Sequence, residues 1–118
     1  MVIPAEQQDK SDEELVLATL KNEDFYGVLI ERYQAKLTRY VRRISNFSDD
    51  DIEDILQNVF IKAYRNLNDF DRDLKFSSWI YRITHNEVIS QFRKRQARPQ
   101  NVIAVEDEKV VNRFSANI

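Results

Sequence analysis

Helix breakers are almost absent from the long middle of this chain. Its single glycine is Gly27, and its two prolines stand at positions 4 and 99. Proline removes a backbone donor and clashes with the preceding turn, while glycine costs backbone entropy in a helix interior. The span between Pro4 and Pro99 therefore carries little that would stop a helix. It also lacks the alternating polarity of a half-buried strand. An all-α fold is predicted, a compact bundle of about four helices. The 118 residues suffice for one core but not for two.

Periodicity and capping residues divide that span. Ser11 followed by Glu14 is a capping box and starts a short first helix with Leu15, Val16 and Leu20 on its apolar side. Asn22 suits both the end of that helix and the cap of the next. A second helix is expected from about Glu23 to Ile44, with Phe25, Leu29, Ile30, Tyr33, Leu37, Val41 and Ile44 forming one buried stripe. Arg32, Lys36, Arg39, Arg42 and Arg43 lie off the stripe, on a solvated or phosphate-facing side. Ser48 caps a third helix whose stripe is Ile52, Ile55, Leu56, Val59, Phe60, Ala63 and Leu67. Asp49, Asp50 and Asp51 crowd its first turn, where the helix dipole favours anions without any metal. Its opposite face carries Asp54, Gln57, Asn58, Ile61, Lys62 and Arg65. A fourth helix begins near Lys75, with Asp73 or Ser77 as cap. Phe76, Trp79, Ile80 and Ile83 share a face, but the stripe then falls on Glu87 and Ser90, while Val88 and Phe92 sit nearer Tyr81 and His85. Either the two halves of this helix bury different faces, or one face is kept for a ligand.

Several chemistries are excluded. The chain has no cysteine, so disulfides, cysteine zinc sites and thiol nucleophiles are ruled out. Asp69, Asp71 and Asp73 have the alternate spacing that opens a calcium loop, but Leu74 stands where that loop needs Gly and Ile80 where it needs Glu. No paired carboxylate, nucleophile with base, or phosphate loop survives the spacing tests, so the chain is read as a non-enzyme with no cofactor and no metal. No apolar run approaches the roughly 20 residues of a membrane span, and the N-terminus lacks a signal-peptide pattern. A cytoplasmic protein without membrane insertion is expected.

Charge is unevenly spread. The overall net charge of −2 hides a segment from Ser48 to Leu74 at −5 and one from Lys75 to Arg98 at +5. Such an internal dipole says more about partners than the mean does. Within Leu67–Arg98 an acidic loop with Phe70 leads into a helix that bears Phe76, Trp79 and Tyr81 and ends in Arg93, Lys94, Arg95 and Arg98. Aromatic rings interleaved with bases suit unpaired nucleic acid, the rings stacking on bases and the cations neutralising phosphates. Phe76 reads as core, and Trp79 reads equally as core or base contact. Asn86, polar on a half-buried helix, reads as a structural hydrogen-bonding residue. His85, the only histidine, reads as surface or base-adjacent. Lys75, Arg82 and the terminal bases point to phosphate.

The order DIEDILQNVFIKAYRNLNDFDRDLKFSSWIYRITHNEVISQFRKR resembles region two of bacterial RNA polymerase sigma factors of the extracytoplasmic-function (ECF) group. The marks are the acids leading into Asp54–Gln57, then Phe60, Ala63-Tyr64-Arg65, Phe70, Phe76–Trp79, Tyr81-Arg82-Ile83, Asn86 and the closing bases. The resemblance covers roughly Ser11 to Arg98. It implies that Asp54, Gln57, Asn58 and Ile61 dock on the coiled coil of the RNA polymerase β-prime clamp; Asn58 stands where an acid is common. It implies that the loop Asn68–Leu74 and the first half of the fourth helix recognise and melt the promoter minus-ten element. They would hold its non-template strand as single-stranded DNA, with one base flipped into a pocket. The DNA-contacting residues would be Asn68, Asp69, Phe70, Asp71, Lys75, Ser77, Ser78, Trp79, Arg82, His85, Asn86 and Arg93. An anti-sigma factor covering these surfaces is a further implied partner. On this reading residues 1–10 are a disordered N-terminus, 11–98 the domain, and 99–118 the start of an interdomain linker. ECF sigma factors carry a second domain that reads the minus-thirty-five element, so the chain is read as a fragment in preference to an unusual single-domain relative. The alternative is a helical protein-interaction adaptor without nucleic-acid specificity.

Overall fold

The computed structural model describes residues 9–71 and 73–97. Four α-helices lie among them: α1 (Asp12–Lys21), α2 (Tyr26–Ile44), α3 (Asp49–Arg65) and α4 (Phe76–Gln96). Short 3-10 turns occupy Glu23–Phe25 and Leu67–Asp69. No strand occurs among the described residues, and none of the described helices is long and apolar enough to cross a membrane. The predicted all-α bundle is the observed architecture. Residues 1–8, Arg72, Arg98 and the expected linker 99–118 lie outside the described residues.

Helix starts follow the capping chemistry. Ser11 Oγ accepts from the Glu14 backbone N–H, and the Glu14 carboxylate accepts from the Ser11 N–H, each at 3.1 Å. These bonds hold the Glu14 carboxyl below the usual carboxylate range. Asn22 closes α1 with its N–H on Ala18 O and accepts from the Asp24 N–H through its side chain. The expected single helix from Glu23 is broken there by the 3-10 turn, and α2 begins at Tyr26. Ser48 Oγ accepts from the Asp51 N–H at 3.2 Å and starts α3.

The core is one cluster fed by all four helices: Leu15 and Val16 from α1, Leu29, Tyr33, Leu37, Val41 and Ile44 from α2, Ile52, Ile55, Leu56, Val59 and Ala63 from α3, and Phe76, Ile80, Val88 and Phe92 from α4. Leu20 does not join it. It is 44% exposed, and Thr19 takes the buried position, its hydroxyl donating to Leu15 O at 2.8 Å. Phe25, Ile30 and Phe60 are half-buried.

α4 departs most from its sequence pattern. Neither Asp73 nor Ser77 caps it. The Phe76 N–H instead donates to Glu13 Oε2 of α1 at 3.0 Å, an acceptor no local pattern could reveal. Its stripe does not lapse at the polar positions, because they are buried. Thr84, His85 and Glu87 are all at most 4% exposed. Phe76, Ile80, Thr84, Val88 and Phe92 recur every four residues, so the buried band turns by about 40° per step. The two ends of α4 therefore bury different faces, the first of the two readings its pattern left open.

Candidate nucleic-acid and partner interface

The polar face of α3 emerges as expected. Asp54, Gln57, Asn58 and Ile61 are all exposed, because the stripe beneath them is apolar without interruption from Ile52 to Ala63. Gln57 and Ile61 also line a groove of about 560 Å³ against α2, together with Ile30, Gln34, Thr38 and Phe60. The Tyr26 hydroxyl donates to Phe60 O at 2.6 Å and braces the groove wall. Burial pushes the Tyr26 hydroxyl pKa well above its usual value, so it stays a donor.

Asn58 has an inward job as well. Its Nδ2 donates to Glu87 Oε1 of α4 at 3.3 Å, and Lys62 pairs with the other Glu87 oxygen. Gln91 Nε2 adds a bond at 3.4 Å. Burial pushes the Glu87 carboxyl up, but Lys62, Gln91 and Asn58 together hold it below the usual carboxylate range. A buried carboxylate is tolerable only with such partners. The sequence signal for Glu87 was its place where the apolar stripe continued.

The loop before α4 is only partly available to a ligand. Asn68, Asp69, Asp71 and Lys75 are exposed. Asp71 accepts the Asp73 N–H at 2.9 Å and tightens the turn. Phe70 is buried, 5.2 Å from the Trp79 ring and 5.7 Å from Phe76. The ring anchors the loop on the aromatic cluster that it shares with Phe76 and Trp79. Phe76 is core, as expected, and Trp79 is half-buried on the same aromatic cluster.

On α4, Ser78, Arg82, Asn86 and Arg93 are exposed and Ser77 half-buried. Ser78, Arg82, Asn86 and Arg93 fall within about 80° of one another around the axis, given 3.6 residues per turn. They form one outward track. Asn86 and Arg93 also border a concavity of about 530 Å³ with Ile89, Ser90 and Lys94. Polar and cationic groups in a row along one helix can hold phosphates and base edges.

His85 is not on that track. It is 3% exposed, its Nδ1 is 2.9 Å from the Tyr40 hydroxyl of α2, and its Nε2 has no partner among the described residues. Its reading as a surface or base-adjacent residue is corrected, because the drift of the buried band carries position 85 into the α2 seam. Burial pushes its pKa below the ordinary histidine value. Arg95 is likewise drawn inward. It pairs with Asp51 of α3 and lies 4.3 Å over the Phe47 ring, and its bond holds the Asp51 carboxyl below the usual range.

Comparison with known proteins gives this arrangement a class. The Sigma-70 region 2 family matches residues 29–98. The chain belongs to that family, and within it to the ECF group. It is 39% identical over 80 residues to the ECF RNA polymerase sigma-E factor of Haemophilus influenzae, covering 64% of this chain and 39% of that protein. Two solved structures share the fold. An engineered region 2 of sigmaE in complex with GTAAAA matches with a TM-score of 0.71 and 32% identity, over 83% of this chain and 99% of that one. CnrH in complex with the cytosolic domain of CnrY matches with a TM-score of 0.65 and 25% identity, over 90% of this chain and 66% of that one. The chain spans about two fifths of the length of the curated relatives it matches.

Proposed function

We propose that residues 11–98 form the promoter-melting and polymerase-docking domain of an ECF sigma factor, a binding module with no chemistry of its own. Residues 99–118 would begin the linker to a further domain. The observation that carries the reading is the outward track of Ser78, Arg82, Asn86 and Arg93 on α4, beside a loop whose Asn68, Asp69 and Asp71 are exposed around a buried Phe70 anchor. Lys75, Ser77 and the exposed edge of Trp79 complete the surface. It would recognise the minus-ten element and hold its non-template strand unpaired. The sigmaE relative solved with GTAAAA supports this ligand class.

The exposed Asp54, Gln57, Asn58 and Ile61 would dock on the β-prime clamp coiled coil of RNA polymerase core. An anti-sigma protein is the regulatory partner, by analogy with CnrH held by the cytosolic domain of CnrY. A cytoplasmic location follows from both partners. The test is titration with fluorescent single-stranded oligonucleotides permuted across the minus-ten positions, with Asn68→Ala and Asn86→Ala in parallel. Each substitution should relax preference at one position. Uniform weakening across all oligonucleotides would reduce these residues to general contacts.

A further inference from the structure

α4 carries the proposed reading track, yet nothing in its own neighbourhood holds its start. Lys75, at the cap position, makes no side-chain cap bond. Asp73, the nearest acid upstream, does not cap the helix, and the Asp71 carboxylate accepts the Asp73 N–H instead. A helix start leaves its first N–H groups without intrahelical partners, and the first of α4's is met only by Glu13 Oε2, from 63 residues earlier in the chain. The carboxylate also suits the positive end of the helix dipole.

Glu13 is delivered by a stiff platform. The Ser11–Glu14 capping box fixes the first turn of α1. Asp12 beside it is held by Arg32 at 3.0 Å and by the Tyr33 hydroxyl, both of α2. Leu15 and Val16 are essentially fully buried just behind. Each acid of the run Asp12-Glu13-Glu14 thus has a separate internal partner. Below the bond, the Phe76 ring packs edge-on to Tyr33 and Phe70. The loop from Asn68 to Leu74 is therefore pinned at one end by buried Leu67 and Phe70 and at the other by a start of α4 that Glu13 holds. α1 also lies outside the matched family segment, residues 29–98.

We infer that Glu13 is a positioning residue for single-strand binding: its bond to the Phe76 N–H holds the first turn of α4, and with it Lys75, Ser77, Ser78 and Trp79, in the binding arrangement. The inference rests on the single-strand reading above. Losing the bond lets that turn fray, and apparent affinity falls with the fraction of chains in the competent arrangement.

The experiment uses the full chain and the single-stranded oligonucleotide that the wild type binds best. Glu13→Ala should weaken binding by roughly 3- to 30-fold, the range a lost cap corresponds to. Glu13→Gln keeps an acceptor oxygen and should recover most of the loss. Thr19→Ala removes a buried bond internal to the same helix, and at a temperature where it stays folded it should bind as the wild type does. Hydrogen exchange at the Phe76–Trp79 amides, read without DNA, should quicken in Glu13→Ala alone. Unchanged exchange, unchanged affinity, or an equal affinity loss in Thr19→Ala each overturns the inference. If the wild type binds no single strand while exchange still quickens, the function reading fails and this role with it.

Discussion

α3 and α4 pack against each other but are built on different plans. α3 has a straight apolar stripe, a side-chain cap three residues from its partner N–H, and an exposed polar face from which only Asn58 and Lys62 also reach α4. α4 has a distant cap, a buried band that turns around the axis, and three buried polar residues within it. The difference bears on function. A straight stripe leaves a flat face for a protein partner, whereas the turning band of α4 must present a continuous track while its interior side changes neighbours. Buried polar groups bonded to specific partners, Glu87 to α3 and His85 to α2, fix which way such a helix is rotated, where apolar contacts alone tolerate slippage.

The largest expected effects test how each helix is anchored. Phe76→Ala should cost about 3–5 kcal/mol and Leu56→Ala about 2–5 kcal/mol, enough to unfold a marginal domain. Ile61→Ala, on the exposed face of α3, should stay within about 0.5 kcal/mol. Denaturant unfolding measures all three, and a large loss at Ile61 would mean that face is not free. Next comes the buried pair. Lys62→Met leaves Glu87 with only neutral partners and should cost about 1–3 kcal/mol, less than a fully buried pair because the Lys62 side chain is half exposed. A neutral result would break the contrast between the two helices.

The pH dependence separates the two buried groups of α4. Burial lowers the His85 pKa from its ordinary value of 6.5, so between that value and the lowered one the unfolded chain binds the extra proton. Stability should fall as pH drops below 6.5, with a slope of at most about 1.4 kcal/mol per pH unit. The Glu87 contribution is present above its ordinary 4.5 and is lost as pH falls through its lowered value. His85 is the only histidine, so His85→Gln should flatten the upper window and leave the lower one. Unfolding curves at a series of pH values read both. A wild type with no slope below 6.5 would mean that His85 takes up its proton as readily folded as unfolded.

The smallest effects sort the bases at the end of α4. Arg93→Ala should reduce the salt slope of single-strand binding by about 0.7 with little change in stability. Arg95→Ala should leave that slope alone and cost about 0.5–1 kcal/mol through the lost Asp51 pair and Phe47 stack. Equal salt slopes for the two would erase the distinction between outward and inward bases.

The same contrast explains what was legible in the sequence. For α3 the periodicity named the core, the cap and the outward face, because each depends on residues three or four apart. In α4 the outward residues Arg82, Asn86 and Arg93 were legible, but His85 was read as a surface or base-adjacent residue and is buried. That error has a physical source: burial of the histidine depends on Tyr40 of α2, 45 residues earlier in the sequence. Glu87 carried a visible signal, a polar residue on the stripe, that read as an interruption because its partners Asn58 and Lys62 sit on another helix. Glu13 gave no such signal, since it looks like any acid in a first turn.

The central claim is that the α4 track and the loop before it hold an unpaired strand. Fluorescence titration with a minus-ten oligonucleotide, single-stranded and as the matching duplex at one salt concentration, tests it most directly. The account predicts clear preference for the single strand, reduced by Arg82→Ala and Asn86→Ala together. Equal affinity for strand and duplex, unaffected by those substitutions, would contradict it.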